Sequence, residues 1–237
     1  MSEAVLASPV RLVLFDLDGT LIDSVPQLYK AVNGALQELA LPLVTLAQVS
    51  AWIGNGADML LRRAWGRSAT PPAWPDALAQ RLRQAFDRHY HAGLDKDFSL
   101  FPGVITTLRQ LRAAGLAMAV VTNKPHPFVA PLLQQAGLAD CFDLVLGGDV
   151  LPQRKPDPAP LLHVCQQLGF SPAQSLMVGD SRNDILAAQA AGMRSVGLTY
   201  GYNHGEPIAA CRPDWVFDQF CQLTPLLLAT EKDLKSE

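Results

Sequence analysis

Short apolar runs and helical apolar spacing alternate along this chain, and they predict strands and helices in turn. Residues 10–15 form a nearly continuous apolar run, which is typical of a strand buried on both faces. Similar runs predict strands at residues 116–121, 143–146, 175–178, 194–198 and 215–217. Because helical spacing separates most of these runs, we predict βαβ units and a doubly wound parallel sheet, which is an α/β fold.

A long stretch without strand signals follows the first strand. Across residues 22–97 the apolar residues recur at helical spacing, interrupted by a glycine-rich break at residues 54–56. Ser24 is predicted to cap the first of these helices. We therefore predict an all-helical cap domain at residues 22–97, inserted into a discontinuous core formed by residues 1–21 and 98–237. An insertion at this position is well placed to act as a lid.

Two carboxylates, Asp16 and Asp18, follow the first strand directly. Side chains two positions apart on an extended segment point to the same side, so we expect these two to converge. Buried negative charge is costly unless it is paired or coordinated, and the pair therefore indicates a divalent cation. Gly19 permits a sharp turn here, and Thr20 can return its hydroxyl to the backbone. A plain turn and a structural metal site remain open as alternatives at this point.

Later strand ends carry more polar groups, namely Thr122, Asn123, Lys155, Asp180 and Asp184. Ligands of open α/β sheets bind beyond the carboxyl ends of the strands, so we expect these groups at one site. If a helix starts at Asp180, that residue and Asp184 share a helical face. Singly, Thr122 also fits a helix cap and Lys155 a solvated charge. Together, a hydroxyl, a lysine and several carboxylates predict a site for magnesium and phosphate.

These strand-end motifs resemble those of the haloacid dehalogenase superfamily of phosphohydrolases, and the match spans nearly the whole chain. The resemblance implies that Asp16 is the nucleophile and that Asp18 is the general acid and base. It implies Mg²⁺ held by Asp16, by the backbone carbonyl of Asp18 and by Asp180, with Asp184 in support. It also implies that the phosphoryl oxygens are held by Thr122, Asn123 and Lys155.

Five stretches resemble the bacterial members that hydrolyse 2-phosphoglycolate; they are residues 52–58, 121–125, 155–162, 179–184 and 197–203. This resemblance implies that 2-phosphoglycolate is the substrate, and that the cap meets it through Gly54, Asn55 and Gly56 and through Arg62 or Arg63. Two alternatives remain open, a phosphatase for another small sugar phosphate and a phosphomutase of the same fold. A metal-binding module without activity is disfavoured, since it would have no use for a lysine and a hydroxyl at matched strand ends.

Composition narrows the possible partners and the compartment. Of 237 residues, 49% are hydrophobic and 17% are charged, which excludes a disordered chain. The net charge of −3 offers no basic footprint for nucleic acid or an anionic membrane. No apolar run approaches the roughly 20 residues of a membrane span, and residues 1–8 show no secretion signal. With cysteines too scattered for a zinc site, we expect a cytoplasmic enzyme, monomeric or homodimeric, that acts on a small phosphorylated metabolite.

Overall fold

The computed structural model describes residues 9–94 and 97–228, so residues 1–8, where we predicted no secretion signal, lie outside it. The strands are β1 (Leu12–Phe15), β2 (Ile22–Asp23), β3 (Ser99–Leu100), β4 (Ala117–Val121), β5 (Leu144–Leu146), β6 (Ser175–Gly179), β7 (Arg194–Leu198) and β8 (Trp215–Phe217). The helices are α1 (Val25–Glu38), α2 (Leu46–Trp52), α3 (Ala57–Gly66), α4 (Asp76–Ala92), α5 (Val104–Ala113), α6 (Val129–Gln135), α7 (Ala159–Leu168), α8 (Arg182–Ala191) and α9 (Leu223–Leu228). Within the described residues, no helix combines the length and apolar character that a membrane span requires.

Six strands form one parallel sheet in the order β5-β4-β1-β6-β7-β8. In this sheet β1 lies between β4 and β6, and its last residue, Phe15, pairs with Val120 on one side and Val178 on the other. Because neighbouring strands run parallel, their carboxyl ends open on one edge of the sheet. The predicted doubly wound α/β fold is confirmed.

The side chains of β1 alternate between the two faces of the sheet. Val13 and Phe15 pack into one apolar cluster, whereas Leu12 and Leu14 pack into a second one on the opposite face. All four are fully buried, and burying a side chain of this kind contributes roughly 1.5–3 kcal/mol. The strand is therefore held rigidly, and it fixes the position of Asp16, the residue that follows it.

Helices α1 to α4 form an insertion between β2 and β3, and these two short strands pair antiparallel with each other. Ile22 pairs with Leu100 and Asp23 pairs with Ser99. The prediction that residues 22–97 contain no strand is thus wrong at the first two positions. The chain leaves and re-enters the core side by side, so the two crossings satisfy each other's backbone groups. Two residues are too few to show a periodic pattern.

Helix α1 begins at Val25, but Ser24 does not cap it as predicted. Ser24 occupies the N-cap position without a side-chain hydrogen bond to the helix. Its hydroxyl instead donates to Asp18 Oδ1 at 2.6 Å. A cap would require the hydroxyl oxygen to accept from a helix N–H, whereas the charge-assisted bond that it donates turns the side chain toward Asp18. The start of the insertion is thereby tied to the acid pair.

Candidate active site

Three carboxylates meet at the carboxyl edge of the sheet. Asp16 follows β1, Asp180 follows β6 and Asp184 lies in the first turn of α8, and one oxygen of each lies within 4.8 Å of the others. All three are buried. A compact set of carboxylate oxygens is what a hard divalent cation such as Mg²⁺ prefers.

Asp184 reaches this cluster by a different route from the one predicted. Helix α8 begins at Arg182 after the N-cap Ser181, so Asp180 precedes the helix and does not share a face with Asp184. Asp184 Oδ2 accepts hydrogen bonds from the Ser181 backbone N–H at 3.0 Å and from its hydroxyl at 2.7 Å. The residue therefore caps the helix with one oxygen and keeps the other for the cluster.

Asp180 is held by groups from both sides of the sheet edge. Its Oδ1 accepts a hydrogen bond from the Thr20 hydroxyl at 2.6 Å, and its Oδ2 accepts one from the Tyr202 backbone N–H at 2.6 Å. Thr20 was predicted to bond the backbone, but the nearby carboxylate is the stronger acceptor. A Cβ atom on Gly19 or on Gly201 would lie 2.3 Å from Asp180 Oδ2. Only glycine fits at these two positions while the acid stays in place.

One lysine lies between two of the acids. Lys155 Nζ is 2.6 Å from Asp184 Oδ1 and 2.9 Å from Asp16 Oδ1. Its side chain is buried, which alone would lower the pKa, but the two carboxylates outweigh burial and raise the pKa of Lys155. A buried positive charge is therefore present at this edge of the sheet, and Lys155 is not a solvated charge.

The three acids still outnumber the lysine, and the pKa values of Asp16 and Asp180 reflect their burial and this excess of negative charge. Burial raises the pKa of Asp16 to about 6, although Lys155 opposes the shift. Burial, together with the charges of Asp16 and Asp184, raises the pKa of Asp180 well above its usual value. Asp16 Oδ1 is buried and receives no well-aligned hydrogen bond from any described residue, although Lys155 is close. This donor set fits a divalent cation, which would neutralise the excess charge.

Asp18 does not join this cluster, and the predicted convergence of Asp16 and Asp18 is corrected. Strand β1 ends at Phe15, and Leu17 begins a tight turn in which its carbonyl accepts from the Leu21 N–H at 3.0 Å. The rule that side chains two apart share a side holds for extended chain and fails in a turn. The Asp18 carboxylate instead accepts from Lys124 Nζ at 2.9 and 3.0 Å, in addition to Ser24.

Lys124 is a site residue that the sequence analysis missed. The side chain is buried, and Nζ lies 4.8 Å from the ring centre of Tyr90 on α4. Burial would lower the pKa of Lys124, but the charge of Asp18 outweighs it, so the pKa is raised. Burial also raises the pKa of Tyr90 to about 12, and its hydroxyl donates to Gln27 at 2.6 Å. The available signal was a cation two residues after Thr122 at a strand end.

A cavity lies between the sheet edge and the inserted helices. Its floor is polar and comprises Asp16, Asp18, Thr122, Asn123 and Lys124. Its roof is mostly apolar and includes Leu28, Ile53, Leu60, Phe86 and Tyr90. The cavity therefore suits a small ligand whose charged end faces the floor, next to the acid cluster.

Thr122 and Asn123 both lie at this floor, but they present different groups to it. The Thr122 hydroxyl oxygen accepts from the Lys124 backbone N–H at 3.2 Å, which leaves its proton free to donate. Asn123 Nδ2 donates to the carbonyl oxygens of Lys155 and Gly54, both at 2.9 Å. Both amide hydrogens of Asn123 are donated to these carbonyl oxygens. The prediction that Asn123 binds phosphate is therefore wrong for its side chain.

The cap loop reaches the core through its backbone. The Gly54 carbonyl accepts hydrogen bonds from Asn123 and, at 3.1 Å, from Asn183. Gly54 and Gly56 line the cavity. Asn55 points elsewhere: its Oδ1 accepts from Arg63 Nη1 at 2.9 Å within the cap. The prediction that the Asn55 side chain meets the substrate is corrected, because a neighbouring guanidinium satisfies it.

The two arginines that we considered for substrate contact are also occupied inside the cap. Arg62 donates to the carbonyl oxygens of Pro72 and Pro71, at 2.8 and 3.3 Å. Arg63 donates to the carbonyl oxygen of Trp52 at 2.8 Å. Both guanidinium groups hold cap loops together, and neither lines the cavity.

The chain is similar to known hydrolases over most of its length. Residues 13–198 match the family model of the haloacid dehalogenase-like hydrolases. A phosphoglycolate phosphatase of Salmonella paratyphi A is 50% identical, with 92% of each chain covered. One of Vibrio vulnificus is 49% identical, with 93% of this chain and 97% of the relative covered. The crystal structure of a predicted phosphoglycolate phosphatase from Haemophilus somnus superposes with a TM-score of 0.87 at 43% identity, covering 93% of this chain and 99% of that one.

Proposed function

The chain belongs to the haloacid dehalogenase-like hydrolases, and we propose that it is a Mg²⁺-dependent phosphatase that hydrolyses 2-phosphoglycolate to glycolate and inorganic phosphate. This proposal rests on the position of Asp16, which lines the cavity and lies beside Lys155 and two further buried acids. Support for the substrate comes from the relatives named phosphoglycolate phosphatase, which are about half identical over most of their length.

In the proposed reaction Asp16 is the nucleophile. One of its carboxylate oxygens attacks phosphorus, and the bond from phosphorus to the glycolate oxygen breaks, leaving an aspartyl-phosphate. Asp18 gives a proton to the leaving oxygen and later takes one from the water that hydrolyses the aspartyl-phosphate. The Lys155 ammonium, 2.9 Å from Asp16, lowers the repulsion between the carboxylate and the phosphate. Thr122 donates its free hydroxyl proton to a phosphoryl oxygen, and the backbone N–H of Asn123 is proposed to do the same.

Three acids and one backbone carbonyl take part in the proposed metal site. Asp16, the backbone carbonyl of Asp18 and Asp180 would hold Mg²⁺, and Asp184 would support them while it positions Lys155. When bound, the cation supplies positive charge that neutralises the phosphoryl oxygens.

We further propose that the inserted helices act as a cap over the reaction, with residues 22–97 covering a core of residues 1–21 and 98–237. The β2–β3 pair at the two crossings supports a hinge there, since both crossings lie side by side. The apolar roof would exclude bulk water and so strengthen the charge interactions on the floor. The partner that this enclosed space suits is a small phosphorylated metabolite.

The test is phosphate release, measured with Mg²⁺ over a panel of esters that includes 2-phosphoglycolate, glucose 6-phosphate and an aryl phosphate. We expect the highest kcat/KM for 2-phosphoglycolate and loss of activity with a chelator. Asp16→Asn should lose at least about 1,000-fold in kcat, or roughly 4 kcal/mol of barrier, while the exposed control Asp218→Asn stays at the wild-type rate. A higher kcat/KM for a sugar phosphate would contradict the substrate assignment, and isomerised ester without free phosphate would indicate a mutase.

A further inference from the structure

We infer that Lys124 binds the carboxylate that the substrate carries beside its phosphate, and that it thereby selects phosphate esters of short hydroxy acids. This inference rests on the proposed function, because it takes the phosphate to lie at Asp16 and the leaving oxygen to lie at Asp18.

The charges around the cavity single out this lysine. Among the described residues that line the cavity, Lys124 is the one cation. The roof above it is apolar, and the cap arginines are occupied by backbone carbonyls. Arg154 lies outside the cavity, with Nη1 3.4 Å from the Asn55 carbonyl oxygen. A substrate carboxylate inside this space would be buried without a cationic partner unless it meets Lys124, and such burial is costly.

The distance between Lys124 and Asp18 matches the length of a short substrate. Lys124 Nζ lies 2.9 and 3.0 Å from the two Asp18 oxygens. In 2-phosphoglycolate one methylene separates the ester oxygen from the carboxyl carbon, so ester and carboxylate oxygens are about 3 Å apart. A cation that touches Asp18 can therefore also touch the carboxylate when Asp18 faces the leaving oxygen. The ammonium group has three protons to share between the two anions.

Lys124 is held in place before any substrate arrives. Its side chain is only 5% exposed, and the face of the Tyr90 ring lies 4.8 Å from Nζ. Tyr90 is itself fixed by the hydrogen bond to Gln27 and by an edge contact with Phe128 at 4.9 Å. Because Tyr90 belongs to the cap helix α4 and Lys124 to the core, the site for the carboxylate is complete only when the two parts are in contact. A preorganised, desolvated cation binds an anion more strongly than a mobile surface lysine does.

The experiment compares 2-phosphoglycolate with its amide, 2-phosphoglycolamide, which has nearly the same shape and lacks the charge. We expect the wild-type kcat/KM for the acid to exceed that for the amide by about 100-fold or more. In Lys124→Met this ratio should fall to about tenfold or less. Lys124→Met also removes the cation beside Asp18, which lowers the rate with both substrates. This effect is the same for the two, so the ratio of their kcat/KM values still reports on the carboxylate. Lys30→Met is the matched control: Lys30 pairs at the surface with Asp97, so this variant should keep the preference.

A second variant covers the case in which Lys124→Met does not fold, since that change leaves Asp18 buried without its cation. Lys124→Arg keeps the positive charge beside Asp18 and should keep the preference for the acid, even if both rates fall. An arginine variant without that preference, or a Met variant that retains it, would overturn the inference. If wild-type protein does not hydrolyse 2-phosphoglycolate, the proposed function itself fails. If it does so but Lys124→Met keeps the preference, only the inference fails.

Discussion

Asn183 Nδ2, on helix α8 of the core, lies 3.1 Å from the carbonyl oxygen of Gly54 in the cap, across 129 residues of chain. Asn123, at the end of β4, donates to the same oxygen at 2.9 Å. Two core amides thus converge on one cap carbonyl at the wall of the cavity. They hold the cap loop by a backbone atom, which no substitution within the loop removes.

This relationship predicts that Asn183→Ala loosens the cap loop. One net hydrogen bond contributes about 1 kcal/mol, so we expect kcat/KM for 2-phosphoglycolate to fall roughly fivefold, chiefly through KM. Gln189→Ala, on the same helix, removes amide bonds to the core carbonyls of Cys211 and Arg212 and serves as the control. Steady-state kinetics measures kcat/KM for both variants. An equal decrease in the two would contradict the prediction.

Lys155→Met should destabilise the metal-free protein far more than a surface lysine change does. It leaves the buried Asp16 and Asp184 without their shared cation, and breaking a buried pair costs about 3–5 kcal/mol. Lys30→Met removes an ion pair whose lysine side chain is 62% exposed, which is worth about 1 kcal/mol or less. Urea unfolding at pH 7 measures both free energies. Similar losses in the two variants would show that Lys155 does not stabilise the acid cluster.

Gly201→Ala should weaken Mg²⁺ binding. The new Cβ would lie 2.3 Å from Asp180 Oδ2, so the carboxylate must move out of the cluster. Displacing a ligand or its support typically lowers metal affinity by about 10–100-fold, and calorimetric titration with Mg²⁺ would detect that change. Gly93→Ala is the control, because its Cβ meets nothing closer than 3.6 Å and its φ is −112°. Unchanged affinity in Gly201→Ala would argue against Asp180 as a metal ligand.

Asp143 should stabilise the fold at neutral pH and lose this contribution in acid. It accepts from Arg112 Nη1 at 2.5 Å and from the Met118 N–H at 2.9 Å. Partial burial opposes these bonds, but they outweigh it and lower the pKa of Asp143. A carboxylate whose pKa is lower in the folded state than in the unfolded state stabilises the folded state. This stabilisation is fully present above the unfolded-state pKa, which is about 4 for aspartate. This contribution disappears as the pH falls through the folded pKa.

Asp143→Asn should therefore cost about 1 kcal/mol at pH 7, and the difference from wild type should shrink as the pH falls below about 4. Urea unfolding at a series of pH values measures this difference, and the exposed Asp140→Asn is the control. A difference that grows in acid would contradict the assigned direction of the pKa.

The six strands of the parallel sheet and the acids at its carboxyl edge were predictable from the sequence. The predicted strands at residues 194–198 and 215–217 coincide with β7 and β8, and the first strand begins only two residues later than predicted, at Leu12. Burial of apolar side chains is a local property that leaves a periodic trace in the sequence. Asp16 and Asp180 meet because each directly follows a strand, and neighbouring parallel strands end at one edge.

The tertiary structure alone decided where the side chains of turns and loops point. Asp18 turns to Lys124, which is 106 residues away in the chain, and Asn55 turns to Arg63 in place of the cavity. In a turn no repeating backbone geometry fixes the direction of a side chain, so the nearest charged or hydrogen-bonding partner fixes it. That partner is often distant in sequence. The sequence therefore determined the α/β fold and the acids at the strand ends, whereas packing of the cap on the core decided how Lys124 and Tyr90 complete the cavity.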